Sequence, residues 1–287
     1  FLIDRAIRIY PLYWVATGLL ILLFALGFRP AGLQAFDAGN VVTSFLLIPH
    51  VRADGEPKPI LSLGWTLIYE AFFYVMFALT FFMRSQIRSA LAIGGVFCAL
   101  LALPLVFDPM PHALEYFTSA LLLEFVVGAL LAIQYDRNRF IASKALGWGA
   151  IALGVCTILA LDLIADVGPA GNHWLRLVMY GLPATLIVAG ALSLDRAGVP
   201  WSSRALLLLG ASSYAIYLFH MLMLQPAGKI ITFFLGGFGA AALPVAALLL
   251  LAGAALFGVL MHYGCERPLQ RLLKARVNPK TMVAIAN

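Results

Sequence analysis

The chain has 287 residues, of which 63% are hydrophobic and only 11% charged, and its mean hydropathy is +0.96. Soluble domains carry about a quarter charged residues, so this composition excludes an ordinary soluble domain and indicates a membrane protein. The net charge of +6 is explained by lysines and arginines at a cytoplasmic membrane face and does not require nucleic acid. The three cysteines lie far apart, so the sequence suggests neither a disulfide framework nor a metal site.

Apolar segments of about the length that crosses a bilayer recur along the chain. They are 12–28, 65–83, 90–107, 114–133, 146–164, 174–193, 205–225 and 241–262. These runs are continuously apolar, whereas a β-barrel would show short alternating segments. We therefore predict an all-α fold, a polytopic transmembrane helix bundle with about eight spans in one membrane domain over 1–287. The apolar segment 230–238 is too short to span and is expected to be re-entrant or interfacial.

The distribution of positive charge predicts the orientation of the bundle. With the N-terminus in the cytoplasm, eight spans place fourteen Lys and Arg side chains on the cytoplasmic side and five on the other. The positive-inside rule then predicts that both ends are cytoplasmic, including a tail over 263–287. The longest loop, 29–64, falls on the outer side, where a loop of this length is often functional, such as a lid or an acceptor surface.

Glu70 lies inside an apolar run, in the stretch Trp65–Tyr74 (WTLIYEAFFY). It is about five residues, or roughly 8 Å, below the outer end of the span 65–83. A carboxylate at such a position is costly unless it faces protein, water or a partner. Glu70 is therefore predicted either to pair helices or to face a substrate.

His220 lies about five residues below the outer end of the span 205–225, which places it at about the same depth as Glu70. Histidine can act as a general base or acid near neutral pH, and a carboxylate can orient it. The structural alternative is a polar side chain that bonds across helices. The sequence leaves open whether the two residues are neighbours.

Arg5 and Arg8 precede the first span on the cytoplasmic side, three residues apart and hence on one face of a helical turn. They could clamp a phosphate or pyrophosphate through bidentate contacts, or simply anchor the helix at the membrane boundary. Glu124, in the span 114–133, is a further intramembrane carboxylate that could face a cavity. His262 is expected to be a polar side chain that reaches the inner membrane surface.

Four stretches follow the order and spacing of one family. They are Arg5–Trp14 (RAIRIYPLYW), Ser62–Tyr74 (SLGWTLIYEAFFY), Ser212–His220 (SSYAIYLFH) and Cys265–Pro268 (CERP). Together they resemble the membrane-bound acyltransferase-3 family, which includes O-antigen, exopolysaccharide and nodulation-factor O-acetyltransferases. The resemblance covers essentially the whole chain.

This resemblance implies an enzyme of the bacterial plasma membrane with a bundle of about ten helices. It implies no bound cofactor, an acyl-CoA co-substrate, usually acetyl-CoA, used from the cytoplasmic side, and an acceptor hydroxyl on an envelope glycan such as lipopolysaccharide or on a lipid-linked sugar. The family's donor-binding RxxR pattern falls on Arg5 and Arg8. Its membrane glutamate falls on Glu70 and its SYxxYLxH histidine on His220.

One family feature has no counterpart in the sequence. Family members begin with a helix in which an Arg or Lys is followed, after ten residues, by the favoured catalytic histidine. We expect that histidine and the first two helices to lie upstream of Phe1. The alternative interpretation is a transporter or flippase of a glycan or lipid with Glu70, Glu124 and His220 as a proton relay, although the two similar halves typical of many transporters are not evident.

Overall fold

The computed structural model describes residues 1–30, 33–107, 109–164, 173–200, 203–235, 239 and 242–277. The elements found there are helices, which confirms the all-α prediction. They are α1 (Leu2–Ala25), α2 (Ala38–Leu46), α3 (Gly64–Leu79), α4 (Gln86–Ala102), α5 (His112–Glu115), α6 (Leu122–Asp136), α7 (Lys144–Ile164), α8 (His173–Arg176), α9 (Leu182–Arg196), α10 (Arg204–Ala211), α11 (Ser213–Leu235), α12 (Leu243–Met261) and α13 (Arg267–Val277). Two π-helical segments, Leu177–Gly181 and His262–Glu266, join α8 to α9 and α12 to α13.

Fewer helices than predicted are long enough to cross a membrane. Among the described residues five qualify, or six if the bent pair α10 and α11 is one span, against the predicted eight. The helix expected over 65–83 is shorter, because Thr80 follows its end and donates a hydrogen bond to the Phe77 carbonyl (2.7 Å). The segment 114–133 is broken near Thr118, whose hydroxyl donates to the Glu115 carbonyl (2.6 Å). Each hydroxyl thus donates to a carbonyl oxygen that would accept a backbone N–H if the helix continued.

The segment expected at 205–225 begins where predicted but is bent inside and ends later. α10 and α11 meet at a bend of 73°. At this bend the Ser212 hydroxyl donates a hydrogen bond to the Leu208 carbonyl (2.7 Å). Such a side-chain bond competes with the backbone hydrogen bonds of the helix. α11 then continues through Pro226 as far as Leu235, since membrane helices tolerate an internal proline. The described part of 230–238 is therefore the end of α11 instead of a separate interfacial segment.

The first of two compact units comprises residues 1–71 and 202–287. It contains α1, α2, the first half of α3 and α10 to α13, and within it α11 packs along α12 while α13 packs along α1. Its buried core includes Leu12, Leu67, Leu218 and Phe219. Every one of the four family-like stretches lies wholly or mainly in this unit. The end of the predicted tail, 278–287, lies outside the described residues.

The second unit comprises residues 72–201 and contains the rest of α3 together with α4 to α9. Here α7 packs along α9, and α4 packs along α6. The α7–α9 contact depends on small residues, because a Cβ on Gly154 would lie 2.6 Å from the Pro183 carbonyl oxygen and one on Gly190 equally close to the Gly147 carbonyl oxygen. This agrees with the expectation that small residues let membrane helices approach closely.

Candidate active site

The long loop predicted at 29–64 is folded against α1. The Tyr13 hydroxyl, on a fully buried side chain, donates to the Ser44 carbonyl (3.0 Å). The Trp14 indole N–H donates to the Phe45 carbonyl (2.8 Å). Both acceptors belong to α2, so α2 lies beside the middle of α1. The loop therefore reaches well inside the span of α1.

A buried ion pair holds the second half of this loop. The Arg52 guanidinium Nη2 lies 2.9 Å from Asp54 Oδ2, and the side chains are 0% and 5% exposed. The Asp54 carboxylate also accepts backbone N–H bonds from Gln34 (3.1 Å) and Glu56 (3.2 Å). Burial alone would raise the pKa of Asp54, but the hydrogen bonds from Arg52 and the two N–H groups outweigh it and lower the pKa to about 2. Arg52 Nη1 also donates to the Pro59 carbonyl (3.3 Å), which ties the pair to the segment that enters α3.

α3 begins close to the midpoint of α1. A Cβ on Gly64, the first residue of α3, would lie 2.8 Å from the Tyr13 hydroxyl oxygen and 3.0 Å from Pro59 Cγ. Only glycine leaves room for this approach. The position at which α3 begins is therefore set by a contact in the interior of the unit, and Glu70 lies six residues further along the helix.

Two tyrosines of α11 connect it to α1 and α3. The Tyr217 hydroxyl donates to the Leu63 carbonyl (2.8 Å) and lies 2.5 Å from Thr66 Oγ1. One turn earlier, the Tyr214 hydroxyl donates to the Ile9 carbonyl (2.8 Å). These bonds fix the register of α11 against the beginning of α3 and the first half of α1.

Side chains from the four family-like stretches converge around Tyr214. Its hydroxyl lies in the electrostatic field of Glu70, Glu266, Tyr13 and Tyr217. Thr66 joins this set through its contact with the Tyr217 hydroxyl. We call the six residues the polar cluster: Tyr13, Thr66, Glu70, Tyr214, Tyr217 and Glu266. Tyr13 and Glu266 are buried, whereas the other four residues are partly exposed.

His220 lies one turn past Tyr217 on α11, and its ring contacts the Tyr217 carbonyl. The charge of Glu70 acts on the hydroxyls of both Tyr214 and Tyr217, so Glu70 lies near this part of α11. α11 extends ten residues beyond the end predicted at 225, as far as Leu235. The equal depth of His220 and Glu70 stays a prediction.

The tautomer of His220 follows from its hydrogen bond. Nδ1 lies 2.7 Å from the Tyr217 carbonyl oxygen, which can only accept, so Nδ1 carries the proton. The lone pair of the neutral ring is then on Nε2. The side chain is partly exposed, so this nitrogen is a candidate acceptor or base.

Arg5 and Arg8 lie in the first two turns of α1, four residues and one residue before Ile9. Arg5 is partly exposed and Arg8 is exposed, whereas the intervening Ile7 is buried against the unit. The Arg5 guanidinium lies 5.3 Å from the centre of the Phe1 ring. The two cations are therefore accessible beside the end of α1 nearer the polar cluster, where a phosphate could bind.

Glu124 belongs to the second unit. It lies in the first turn of α6, and a Cβ on Gly181 would be 2.9 Å from its Oε1, so the π-helical segment Leu177–Gly181 packs directly against the carboxylate. The charge of Arg176, at the end of α8, also acts on Glu124. These contacts give Glu124 a packing partner and a nearby cation within its own unit.

His262 pairs with Glu266, a contact that was not predicted from the sequence. His262 Nδ1 lies 2.7 Å from Glu266 Oε2, and the side chains are only 9% and 6% exposed. His262 is therefore buried against a partner instead of reaching the membrane surface. The spacing of four residues could have indicated this pair, because it places both side chains on one face of a helix.

Comparisons with known proteins agree with the motif pattern. The family described as an acyltransferase domain matches residues 1–263. The chain is 32% identical over 277 residues to the exopolysaccharide production protein ExoZ of Rhizobium meliloti, across 96% of this chain and 82% of that protein. It is 25% identical over 302 residues to the acyltransferase MdmB of Streptomyces mycarofaciens, across 95% and 74% of the two chains. No solved structure matches significantly.

Proposed function

Because the chain belongs to the acyltransferase-3 family and is thus a membrane acyltransferase, we propose that it moves an acyl group, most simply acetyl, from acyl-CoA to a hydroxyl of a glycan. The acceptor is an extracellular or envelope polysaccharide, or its lipid-linked precursor, in the bacterial plasma membrane. The name of the relative ExoZ, which concerns exopolysaccharide production, supports the glycan acceptor. The reaction breaks the thioester C–S bond, forms an ester C–O bond, and moves the hydroxyl proton to the departing thiolate.

The observation that carries this proposal is the convergence of the four family-like stretches on the polar cluster. Residues more than two hundred positions apart, such as Ile9 and Tyr214, are joined by a hydrogen bond of 2.8 Å. Polar groups inside a membrane bundle are costly and are often functional. The cluster supplies a carboxylate, Glu70, and tyrosine hydroxyls at a partly exposed position, as a site for a polar acceptor requires.

The placement of Arg5 and Arg8 supports a donor site at the same end of α1. Both are accessible, and they precede Ile9, which receives the Tyr214 hydroxyl, by one turn or less. In this proposal they hold the phosphates of CoA on the cytoplasmic side through charge-assisted hydrogen bonds. Glu70 activates or orients the acceptor hydroxyl, and His220, about two turns along α11 from Tyr214, contacts the acceptor.

The test is acyl transfer by the full-length protein in vesicles, with radiolabelled acetyl-CoA and extracted envelope glycan. Wild type should label the glycan. Arg5→Ala/Arg8→Ala should raise the donor KM at least tenfold, because each charged hydrogen bond contributes about 1.5–3 kcal/mol. Glu70→Gln should lower kcat about a hundredfold or more.

Two matched variants control for general charge effects. Arg84→Ala/Arg88→Ala removes another pair of arginines, and Glu115→Gln neutralises an exposed carboxylate, and both should leave transfer unchanged. If wild type labels no glycan, and a proton gradient instead drives a glycan or lipid across the vesicle, the transporter interpretation replaces this one.

A further inference from the structure

α13 carries four cations and no acidic residue in its 11 residues. All four, Arg267, Arg271, Lys274 and Arg276, are exposed. The first three are spaced by four and three residues, so they form a basic stripe along one face of the helix, whereas Arg276 lies on another face. Like charges at this spacing destabilise a helix slightly, so helix stability does not explain the basic stripe.

The hydrogen bonds of α11 give the direction of α1 relative to it. Tyr214, at the start of α11, donates to Ile9 of α1. One turn later Tyr217 donates to Leu63, whose neighbour on the chain packs against Tyr13 of α1. α1 and α11 therefore run in the same direction, from Ile9 towards Tyr13.

α12 runs the opposite way. Gly258 of α12 packs against Ile216 near the start of α11, and Gly253, earlier in α12, packs against Met223. α12 is therefore antiparallel to both α11 and α1. It ends on the side of the first unit where α1 begins, and α13 follows it there.

α13 extends beyond the membrane-spanning part of α12. Leu243–Val277 is one continuous helical run of 35 residues. Such a run is about 50 Å long and exceeds the hydrocarbon core of roughly 30 Å. α12 contains no charged residue, so the excess length is α13. There α13 packs along α1, on the side where Arg5 and Arg8 lie, and the two helices form one positively charged end of the unit.

The cations at this end follow the order of the phosphate groups in CoA. Arg5 and Arg8 lie within about one turn of the level of the polar cluster. Arg271 and Lys274 are further out, five and eight residues past Glu266 of the cluster, or about 8 and 12 Å along the helix. In CoA the diphosphate follows the thiol-bearing arm, and the 3′-phosphate is on the adenosine at the far end.

We propose that Arg271 and Lys274 bind the 3′-phosphate of CoA, while Arg5 and Arg8 hold its diphosphate and the thioester lies towards the polar cluster. A guanidinium and an ammonium group on one helical face suit a phosphate dianion. An anionic lipid is the weaker alternative, because α13 leads away from the headgroups and their attraction falls within a Debye length of about 8 Å. This inference rests on the proposed function, since it extends the donor site of that reaction.

The experiment compares the binding of CoA and of dephospho-CoA, which lacks only the 3′-phosphate, to the full-length protein in neutral detergent. Wild type should bind CoA at least tenfold more tightly, because it makes charged hydrogen bonds to the additional phosphate. Arg271→Ala/Lys274→Ala should weaken CoA binding about tenfold and leave dephospho-CoA binding unchanged. Arg271→Lys/Lys274→Arg keeps both charges and should retain most of the preference for CoA.

Arg276→Ala is the matched control, since it removes a cation from another face of the same helix and should keep the preference for CoA. If wild type does not distinguish the two ligands, or if Arg271→Ala/Lys274→Ala distinguishes them as wild type does, the assignment is wrong. The assignment also fails if that variant changes only the thermal stabilisation by added phosphatidylglycerol, since the basic stripe then binds lipid. If wild type shows the preference but transfers no acetyl group to glycan, the 3′-phosphate site stands and the proposed function fails.

Discussion

Tyrosine hydroxyls make the contacts that bring the separate sequence stretches together. Tyr13, Tyr214 and Tyr217 each donate to a backbone carbonyl of a different segment, at 2.8–3.0 Å. Each ring is an apolar body with one polar end, which suits a position inside a membrane bundle. Unlike a charged side chain, it can direct a hydrogen bond across helices without burying a charge.

Removal of one such hydroxyl should loosen the beginning of α3. Tyr217→Phe deletes the bonds to Leu63 and Thr66 and should cost about 1 kcal/mol, since both partners lose a hydrogen bond. The thermal midpoint in detergent should fall by about 2–4 °C. Tyr263→Phe, which removes a hydroxyl from a side chain that is half exposed, is the control and should not change the midpoint. An unchanged midpoint for Tyr217→Phe would contradict this role.

At the scale of the elements, one glycine determines where α3 begins. Gly64→Ala would place a Cβ 2.8 Å from the Tyr13 hydroxyl oxygen, so the first turn of α3 must move. We expect a loss of about 1–3 kcal/mol in unfolding free energy and reduced acyl transfer, because Thr66 and Glu70 move with that turn. Thermal unfolding and transfer assays measure both.

Gly18→Ala is the matched control, since a Cβ there meets nothing within 4 Å. It should be neutral or stabilising by up to about 1 kcal/mol, as alanine is the better helix former. Equal effects of the two substitutions would mean that general helix propensity, and not the contact with Tyr13, explains the result.

The loop between α2 and α3 should depend on pH through Asp54. Its pKa falls from 3.8 to about 2 on folding, so the folded state is stabilised when the carboxyl is ionised. This contribution, about 2 kcal/mol, is complete above pH 4–5 and is lost as the pH falls towards 2. Pepsin cleavage of the loop should therefore increase steeply between pH 4 and pH 2.

Asp54→Asn removes this dependence, because the charge that Arg52 and the backbone N–H groups stabilise is absent. The variant should be cleaved more readily than wild type at pH 4, and the two should converge near pH 2. A constant ratio of cleavage rates across this range would show that Asp54 does not control the loop.

For the whole molecule, the orientation in the membrane is a prediction from charge. If the chain alternates through the eight predicted spans, fourteen of the nineteen Lys and Arg residues fall on the cytoplasmic side. In a background without Cys98, Cys156 and Cys265, Lys58→Cys should react with an impermeant maleimide on intact cells. Arg139→Cys should react only after the cells are opened. The reverse pattern would invert the proposed topology and move the donor site to the outer face.

The span count shows where the sequence was insufficient. Apolar length predicted membrane helices correctly as a class, because composition is a local property. It did not predict the ends of the helices at Leu79 and Leu235, or the bend at Ser212. Those are decided by hydroxyl groups that bond to backbone carbonyls and by the tolerance of α11 for Pro226.

By itself, the sequence determined the helical class, the membrane environment and the family, because hydropathy and the order of the motifs can be read directly from the residues. It also identified Arg5, Arg8, Glu70 and His220 as candidates. Only the tertiary structure decided that Glu70 and Glu266, which are far apart in sequence, both lie near Tyr214. Proximity of this kind depends on where helices begin and how they pack, which is fixed by contacts between residues that are far apart in sequence, such as Tyr13 with Gly64.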